Sequence, residues 1–427
     1  MIRRFATILG LFLFCSCDKP PTTDAGKSSP PTTPTTDVKA SPPPDAKSAD
    51  SKSAEAIKPE PAKDCLDRPT ATPATLTWNE VGISKSYLQI FGMENAAAVA
   101  AGKRTYIVAA GEELRDDPAR RAGLKTPVAW ALGRWPDDAW VVTDQGVDPK
   151  AEGSAPEPDL FVWQWKGARW ERPVRKLIND DPETAMRDFL WRPGEFLTAR
   201  CNNGKITFDR YSAGDAATPA LSFPNDTYFC PRMYHLPGRN ELFGADSPDR
   251  PQRSSTPRTS RWCATCTDPK IEPFTTRRCG VDPIDGVLVG LQAAHRGDRV
   301  AVDVSTSRRV PGGGASIHAD HYVLLVDGES QRVDLVPTDG GVDWLSIAPG
   351  GDLWVAADDK LLRRRVDGTW ADVALPADAK ELLQVVALGD DDIWIVSAAT
   401  SDHGSPRALH RTGAQAAALV LDTGKAK

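Results

Sequence analysis

The chain has 427 residues, a net charge of −6 at pH 7 and 26% charged residues. This weakly negative charge gives no attraction to nucleic acid, so we expect no nucleic-acid partner. The 33 Gly and 36 Pro are spread along the chain. They interrupt helical periodicity and exclude a fold built from long helices.

The N-terminal segment has the pattern of an export signal. Two arginines precede the apolar run Phe5–Phe14, which is too short to span a bilayer. Residues 1–16 are therefore predicted to be a signal peptide. The four residues Phe14-Cys15-Ser16-Cys17 resemble a lipobox, where bacterial lipoproteins are cleaved before an acylated cysteine. The resemblance implies lipidation of Cys17 and a membrane anchor in the periplasm or at the cell surface. Cleavage near Cys17 without lipid is the alternative.

The next segment is predicted to be a tether. Residues 17–64 comprise the anchor cysteine and a stretch rich in Pro, Ser, Thr, Ala and Lys, which has no aromatic residue. Its only large aliphatic residues are Val38 and Ile57, too little apolar surface to offset the entropy of folding. We therefore predict a disordered linker up to residue 64 and a folded domain over residues 65–427.

The folded domain contains a repeated pattern of short strands. Each copy has an apolar strand, a turn rich in Asp and Gly, and a second strand led by an aromatic residue. Three strong copies contain the motif Asp-x-Trp, at Asp138-Ala-Trp140, Asp352-Leu-Trp354 and Asp392-Ile-Trp394. Weaker copies are centred on Tyr106, Phe196, Phe243 and Val300. Taking these seven aromatic or apolar positions as equivalent predicts seven units.

Repeats of this length with four short strands each are typical of a β-propeller. The unit resembles the blades of bacterial sensor-type propellers with a D-x-W strand. We predict an all-β fold, a seven-bladed β-propeller behind the signal peptide and disordered linker. Six blades are the alternative, because the interval from Tyr106 to Trp140 is short for a whole blade. An irregular array of β-sandwiches is a further alternative.

Two expectations follow for the packing of such a ring. The repeated Trp residues should fill the space between blades and offer the indole N–H to a neighbour. The first strand, placed at Thr75–Trp78, should meet the last repeat in one blade, with residues 417–421 supplying its missing strand. Trp163 and Trp165 could instead be sugar-stacking residues if they lie in loops.

Six cysteines remain after removal of the signal peptide and use of Cys17 for lipid. An even number in an exported chain predicts three disulfides, with connectivity left open. A zinc site around Cys263-x2-Cys266 is the alternative. The six are Cys65, Cys201, Cys230, Cys263, Cys266 and Cys279.

Catalytic and metal patterns are weak. His318, Asp320 and His321 are close in sequence, but strand geometry points His321 away from the other two. The acidic run 390–392 is interpreted as a solvated turn and not a calcium site. Asp367-Gly-Thr-Trp370 resembles the Asp-box of sialidase propellers but is one residue short. We therefore predict no catalytic, cofactor or metal site.

The resulting hypothesis is a lipid-anchored extracytoplasmic propeller that acts as a binding or scaffolding module in the bacterial cell envelope. Its expected partners are the membrane, through the N-terminal lipid, and an unknown protein or polysaccharide. The basic segment from Arg250 to Cys279 could contact an anionic envelope polymer. The alternative is a propeller hydrolase or lyase acting on an envelope or extracellular carbohydrate, so an enzymatic role is less expected but open.

Overall fold

The computed structural model divides the chain into two units, Met1–Glu60 and Pro61–Lys427. All residues that it describes lie in the second unit. They are 68–83, 88–102, 104–114, 124, 128–144, 160–171, 186–202, 205–211, 218–224, 232–236, 241–246, 258–263, 270–273, 287–309, 317–328, 330–357, 359–377, 379–398, 406–411 and 419–421. The predicted signal peptide, the linker and Cys17 lie outside these residues, and no described helix is long and apolar enough to cross a membrane.

The described part of the domain consists of β-strands. Two strands precede the first complete hairpin: β1 (Thr72–Thr75) and β2 (Asn79–Ile83). Sheet I contains β3 (Leu88–Gly92), β4 (Ala96–Ala101) and β5 (Arg104–Ala109). Sheet II contains β6 (Val128–Arg134), β7 (Asp138–Asp144), β8 (Leu160–Trp165) and β9 (Trp170–Glu171).

The next three sheets each contain four consecutive strands. Sheet III contains β10 (Met186–Arg192), β11 (Glu195–Asn202), β12 (Lys205–Tyr211) and β13 (Thr218–Pro224). Sheet IV contains β14 (Arg232–Leu236), β15 (Glu241–Asp246), β16 (Arg258–Cys263) and β17 (Lys270–Pro273). Sheet V contains β18 (Val287–Arg296), β19 (Arg299–Arg309), β20 (Ile317–Asp327) and β21 (Ser330–Leu335).

The last two sheets combine C-terminal and N-terminal strands. Sheet VI contains β22 (Val342–Ile347), β23 (Leu353–Ala357), β24 (Lys360–Arg364) and β25 (Trp370–Ala374), with β1 at its outer edge. Sheet VII contains β26 (Lys380–Ala387), β27 (Ile393–Ala398) and β28 (Arg407–Arg411), followed by β2 and then β29 (Leu419–Leu421).

The first strands of the seven sheets contact one another in cyclic order, from β3 through β6, β10, β14, β18, β22 and β26 and back to β3. They therefore surround a central channel, and the other strands of each sheet lie further out. This arrangement confirms the predicted all-β propeller and excludes an array of β-sandwiches.

The predicted seven four-stranded blades are not all present among the described residues. Six sheets have four or five strands, and sheet I has three. The number of sheets with at least four strands therefore matches the six-bladed alternative. The assignment of Tyr106 is also wrong, because Tyr106 lies on the third strand of its sheet. Ala98 on β4 occupies the position that the Trp residues hold elsewhere, facing the next sheet. The alanine-rich strand β4 has no aromatic residue to mark it, so the pattern was matched one strand too late.

The predicted closure of the ring is confirmed with a correction to its strands. β2 pairs antiparallel with β28, and β29 pairs parallel with β2, so both chain ends enter sheet VII. The early strand was placed at Thr75–Trp78, but Thr75 ends β1 and residues 76–78 join β1 to β2. Trp78 instead donates its indole N–H to the carbonyl of Ala374, at 3.2 Å.

The Trp residues of the Asp-x-Trp copies fill the spaces between sheets, as expected. Trp140, Trp354 and Trp394 are fully buried. Trp394 packs against Ile90 of sheet I, and Trp354 against residues of sheet VII. Their hydrogen bonding differs from the expectation, because the indole nitrogens of Trp354 and Trp394 have no hydrogen-bond partner among the described residues.

Candidate functional site

The Asp of each Asp-x-Trp motif has a structural role. In sheet VII, Asp392 Oδ1 lies 2.8 Å from His410 Nε2, and the ring of His410 stacks on Trp394 with centroids 3.7 Å apart. His410 lies directly opposite Trp394 on the neighbouring strand. Asp392 Oδ2 also accepts a hydrogen bond from the backbone N–H of Gly111, at 2.6 Å. Because Gly111 follows sheet I, this carboxylate ties two adjacent sheets together.

Sheet VI repeats this arrangement with arginine in place of histidine. Arg363 lies opposite Trp354 and donates to Asp352 from Nε at 2.7 Å. Its guanidinium carbon lies 5.2 Å from the centre of the Trp354 ring, within the range of a cation–π contact. The third-strand partner of each motif could not be recognised from sequence, because its distance from the Asp varies with the intervening loop.

Sheet II uses its Asp to hold the next sheet. Asp138 accepts hydrogen bonds from the indole N–H groups of Trp140 and Trp191, both at 2.8 Å, and from the backbone N–H of Gly194 at 2.6 Å. Trp191 and Gly194 belong to the first hairpin of sheet III. The described contacts of Asp138 and Asp392 therefore join adjacent sheets, and those of Asp352 lie within sheet VI.

The interpretation of the acidic run 390–392 as a solvated turn is wrong for its last member. Asp392 is buried and has the two partners described above, whereas Asp391 forms an exposed ion pair with Arg411 at 2.8 Å. Asp367 has a local role: its Oδ1 accepts from the backbone N–H of Thr369 at 2.8 Å. The hydrogen bonds from Thr369 lower the pKa of Asp367.

His318, Asp320 and His321 lie on β20, and the described contacts of Asp320 and His321 go to different residues. Asp320 is buried and contacts Arg68 Nη2 at 3.5 Å, while Nδ1 of His321 lies 3.7 Å from Asp303 Oδ1. The described residues contain no group of three His, Cys, Asp or Glu side chains able to hold a metal ion. The side chain of His318 is outside the described part of the chain.

The burial of Asp303 beside His321 predicts a pH dependence of stability. Burial raises the pKa of Asp303, and the interaction with His321 opposes this effect. The folded chain then keeps this proton to a higher pH than the unfolded chain, so stability is lost as the pH rises above the ordinary carboxyl pKa of about 4. We expect Asp303→Asn to gain unfolding free energy relative to the wild type between about pH 4 and 7. Urea unfolding of wild type and variant at about pH 4 and pH 7 measures this gain, with Asp327→Asn at an exposed position as the control. The same difference in unfolding free energy between Asp303→Asn and wild type at both pH values would contradict the prediction.

Arg296 reaches across one end of the channel. It lies at the end of β18 in sheet V, and its Nη1 donates to the carbonyl of Glu94 at 2.7 Å. Its Nη2 donates to the carbonyls of Ala387 at 2.7 Å and Met93 at 3.4 Å. These carbonyls belong to sheets I and VII, which are three and two sheets away around the ring, so the side chain reaches across the channel. Burial lowers the pKa of Arg296, and the charge of Glu94 opposes this shift.

The same end of the channel holds a second titratable group. Burial lowers the pKa of His295, and the carboxylate of Glu94 opposes this shift. Two further side chains link the first strands: Gln384 Oε1 accepts from the backbone N–H of Ile90 at 2.8 Å, and Ser346 Oγ accepts from that of Ala387 at 2.9 Å. These polar groups hold the inner strands together. No pattern of spacing in the sequence indicates that Arg296 bridges the ring.

Aromatic side chains line one side of the channel. Trp130 on β6 is 43% exposed and lies between Phe91 on β3 and Phe189 on β10, with ring centroids 6.3 and 5.9 Å away. The flanking strands and β7 enclose β6, so solvent reaches Trp130 from the channel. Trp163 and Trp165 are in a different position: both lie on β8, and Trp165 packs against Trp135 and Trp170.

The predicted cysteine sites are largely outside the described residues. Cys65, Cys230, Cys266 and Cys279 fall there, as does most of the basic segment 250–279. Cys201 lies on β11 and Cys263 on β16, in neighbouring sheets, but their side chains are not described.

Comparisons with known proteins find similarity to solved structures at low identity. No protein-family model and no curated protein matches the chain. A streptogramin B lyase is similar in structure, with a TM-score of 0.46, 11% identity, and coverage of 79% of this chain and 98% of that one. The β-propeller domain of the trilobed protease from Pyrococcus furiosus has a TM-score of 0.46 and 11% identity, covering 78% of this chain and 95% of that one. The extracellular domain of a hybrid two-component system from B. thetaiotaomicron has a TM-score of 0.44 and 10% identity, covering 79% of this chain and 40% of that one.

The class defined by the fold is therefore the β-propeller. At these identities and scores, the similarities concern the fold alone, and no activity follows from them.

Proposed function

We propose that this chain is a lipid-anchored extracytoplasmic propeller that acts as a binding or scaffolding module of the bacterial cell envelope. The observation that carries the proposal is the difference in length between the connections at the two faces of the ring. Strands that follow one another along the chain within a sheet pair antiparallel, so the turns from first to second strand lie at one face. The connections from second to third strand, and from one sheet to the next, lie at the other.

The described turns at the first face are short. We call it the short-turn face, and its described turns between first and second strands are residues 93–95, 135–137, 193–194, 297–298, 348–352 and 388–392. Strand ends at the opposite face, which we call the long-connection face, are separated by longer stretches of sequence. These stretches include residues 110–127, 145–159, 172–185, 247–257, 274–286, 310–316 and 399–406.

Long connections on a rigid scaffold favour recognition of a large partner. Loops tolerate changes in sequence and carry binding residues, while the scaffold fixes their relative positions. The described turns of the short-turn face extend little beyond their strand ends, and Arg296 reaches across the channel there. The long-connection face is therefore the better candidate for contact with a protein or polysaccharide.

The N-terminal features support an envelope location for this module. The lipobox-like residues 14–17 place the acylated cysteine directly before the linker. A flexible chain of the length of residues 18–64 spans on the order of 35 to 40 Å, enough to hold the propeller clear of the bilayer. Each acyl methylene buried in the bilayer contributes about 0.8 kcal/mol of binding free energy, so more than one acyl chain gives stable attachment.

One finer feature belongs to the same proposal. The six remaining cysteines are paired as disulfides, supported by their even number in an exported chain.

The experiment that tests the function is crosslinking in intact envelopes. A photoreactive residue replaces Gly313 in one long connection, or Asp137 in a short turn as the matched control. We expect a discrete crosslinked partner from position 313 and none from position 137.

A second arm of this experiment tests the anchor. Cys17→Ser should release the chain from the membrane fraction or leave its signal uncleaved. Equal crosslinking from both faces would contradict the assignment of the binding face. Unchanged mature mass and membrane retention in Cys17→Ser would contradict the lipid anchor.

A further inference from the structure

The first strands of the ring are irregular toward the long-connection face. Four of the seven pairs between first and second strands shift register, at Val128/Trp130, Val289/Ala293, Val342/Trp344 and along Lys380–Gln384. Each first strand starts at the long-connection face, and each shift lies in the first half of its strand or near its middle. Bulges redirect side chains and are frequent at the rims of barrels and beside active sites.

These shifts accompany exposed apolar side chains along the channel. Three large hydrophobic residues are exposed in the described part of the chain, and two of them, Trp130 and Leu383, lie on first strands. Leu383, 39% exposed, lies within the double register shift of β26. Burying such groups would be favourable, so their exposure along a channel indicates a surface that a ligand covers.

We call Phe91, Trp130 and Phe189 the aromatic wall of the channel, and this wall packs against buried core residues. Phe189 stacks on Phe196 at 5.8 Å, and Phe196 stacks on the buried Trp140 at 5.7 Å. Trp130 therefore lies against rings whose positions are fixed by packing between sheets II and III. A rigid aromatic surface loses little entropy when it binds a ring-shaped ligand.

Another wall of the channel carries hydrogen-bond acceptors. Asp343 on β22 and Glu381 on β26 are exposed, and both lie at register shifts. Glu381 also has a positive φ of 51°, a backbone conformation that costs energy for a residue other than Gly and occurs often at ligand sites. Sheets VI and VII are three and two sheets away from sheet II around the ring, so Asp343 and Glu381 lie on other sides of the channel than Trp130.

The inner edges of the first strands add backbone groups. Each first strand pairs with one described strand, so its channel-side edge lacks a strand partner. At the short-turn end, Arg296 occupies three of the carbonyls. A ligand near the long-connection mouth therefore meets an aromatic wall, carboxylate acceptors and backbone donors and acceptors.

We propose that the channel mouth at the long-connection face binds a carbohydrate, with the apolar face of a sugar ring on Trp130 and its hydroxyl groups directed toward Asp343 and Glu381. A sugar ring combines a flat C–H surface with hydroxyl donors on its edge, which suits this pair of walls. Because Arg296 reaches across the other end of the channel, the sugar enters from the long-connection face. This proposal deepens the proposed binding function and rests on it for the identity of the open face.

The test titrates the full chain in detergent with two neutral tetrasaccharides, N-acetylchitotetraose and maltotetraose, by calorimetry. Tetramethylammonium is the non-sugar probe, because an exposed Trp opposite carboxylates also suits an organic cation. We expect binding of at least one tetrasaccharide, and we expect Trp130→Ala to weaken it by about tenfold or more. Trp130→Phe, which keeps an aromatic face, should retain most of the affinity.

Two controls separate binding from folding. Val366→Ala changes an exposed hydrophobic residue at the short-turn face and should leave the affinity unchanged. Emission from Trp130, obtained as the difference between wild type and Trp130→Phe, should shift to shorter wavelength on binding, because the sugar excludes water from the ring.

Failure of both tetrasaccharides to bind, or equal affinity in Trp130→Ala, overturns the proposal. Binding of tetramethylammonium alone, with the same dependence on Trp130, overturns the choice of carbohydrate. These outcomes differ from failure of the proposed function, which is measured independently by crosslinking from position 313.

Discussion

Removal of residues 65–83 is expected to lower the thermal midpoint of the whole propeller by many degrees in a single transition. The deletion removes β1 and β2, and it leaves β29 without the strand with which it pairs. Sheet VII then has three strands and an open outer edge beside the C-terminal segment. Because each sheet packs between two neighbours, this loss should spread around the ring and not fray one end.

The matched control for this deletion is removal of the linker, residues 18–64. These residues contribute no described strand, so we expect the same midpoint as in the intact chain. Calorimetric scans of both variants measure the comparison. An unchanged midpoint after deletion of 65–83 would mean that the ring closes without β2.

Replacement of Trp394 by Ala is expected to cost about 3–5 kcal/mol of unfolding free energy, the usual range for a large buried aromatic residue. Trp394 is fully buried between sheets VII and I and stacks on His410. The variant loses this contact area. It also loses the ring that stacks on His410, whose Nε2 is within hydrogen-bond distance of Asp392. Chemical denaturation monitored by circular dichroism measures the loss.

Trp130→Ala is the matched control for Trp394→Ala. Trp130 is the same residue type on another sheet but is 43% exposed, so its removal should cost much less. Trp394→Phe should recover part of the stability, because a smaller aromatic ring still fills part of the space. Equal losses for Trp394→Ala and Trp130→Ala would contradict the assignment of Trp394 as the packing residue between sheets.

The repeat pattern predicted the fold because its signals are local. Asp-x-Trp strands, Gly-containing turns and alternating apolar residues are set by neighbouring positions, and they identified the second strands at Trp140, Trp354 and Trp394. The same logic failed at β4, since a run of alanines between Ala96 and Ala101 has neither alternation nor an aromatic residue. All residues of β4 are nevertheless buried, in the clusters that pack sheet I against sheets VII and II.

The partners of the motif were beyond prediction for a different reason. His410 and Arg363 reach the same position beside an Asp and a Trp, although the loops before them differ in length. Strand pairing fixes that position, and loop length does not affect it. Trp163 and Trp165 were considered as possible loop residues. They belong to β8, where they pair with Val141 on β7 and Trp170 on β9.

The sequence by itself determined the strand repeats, the likeness of residues 14–17 to a lipobox and the unfolded composition of the linker, because each depends on residues adjacent in the chain. Only the tertiary structure decided that Arg296 crosses the channel and that Trp130 lies between Phe91 and Phe189. These residues are far apart in sequence, and ring closure alone brings their strands together. The candidate binding surface is therefore a product of the closed ring.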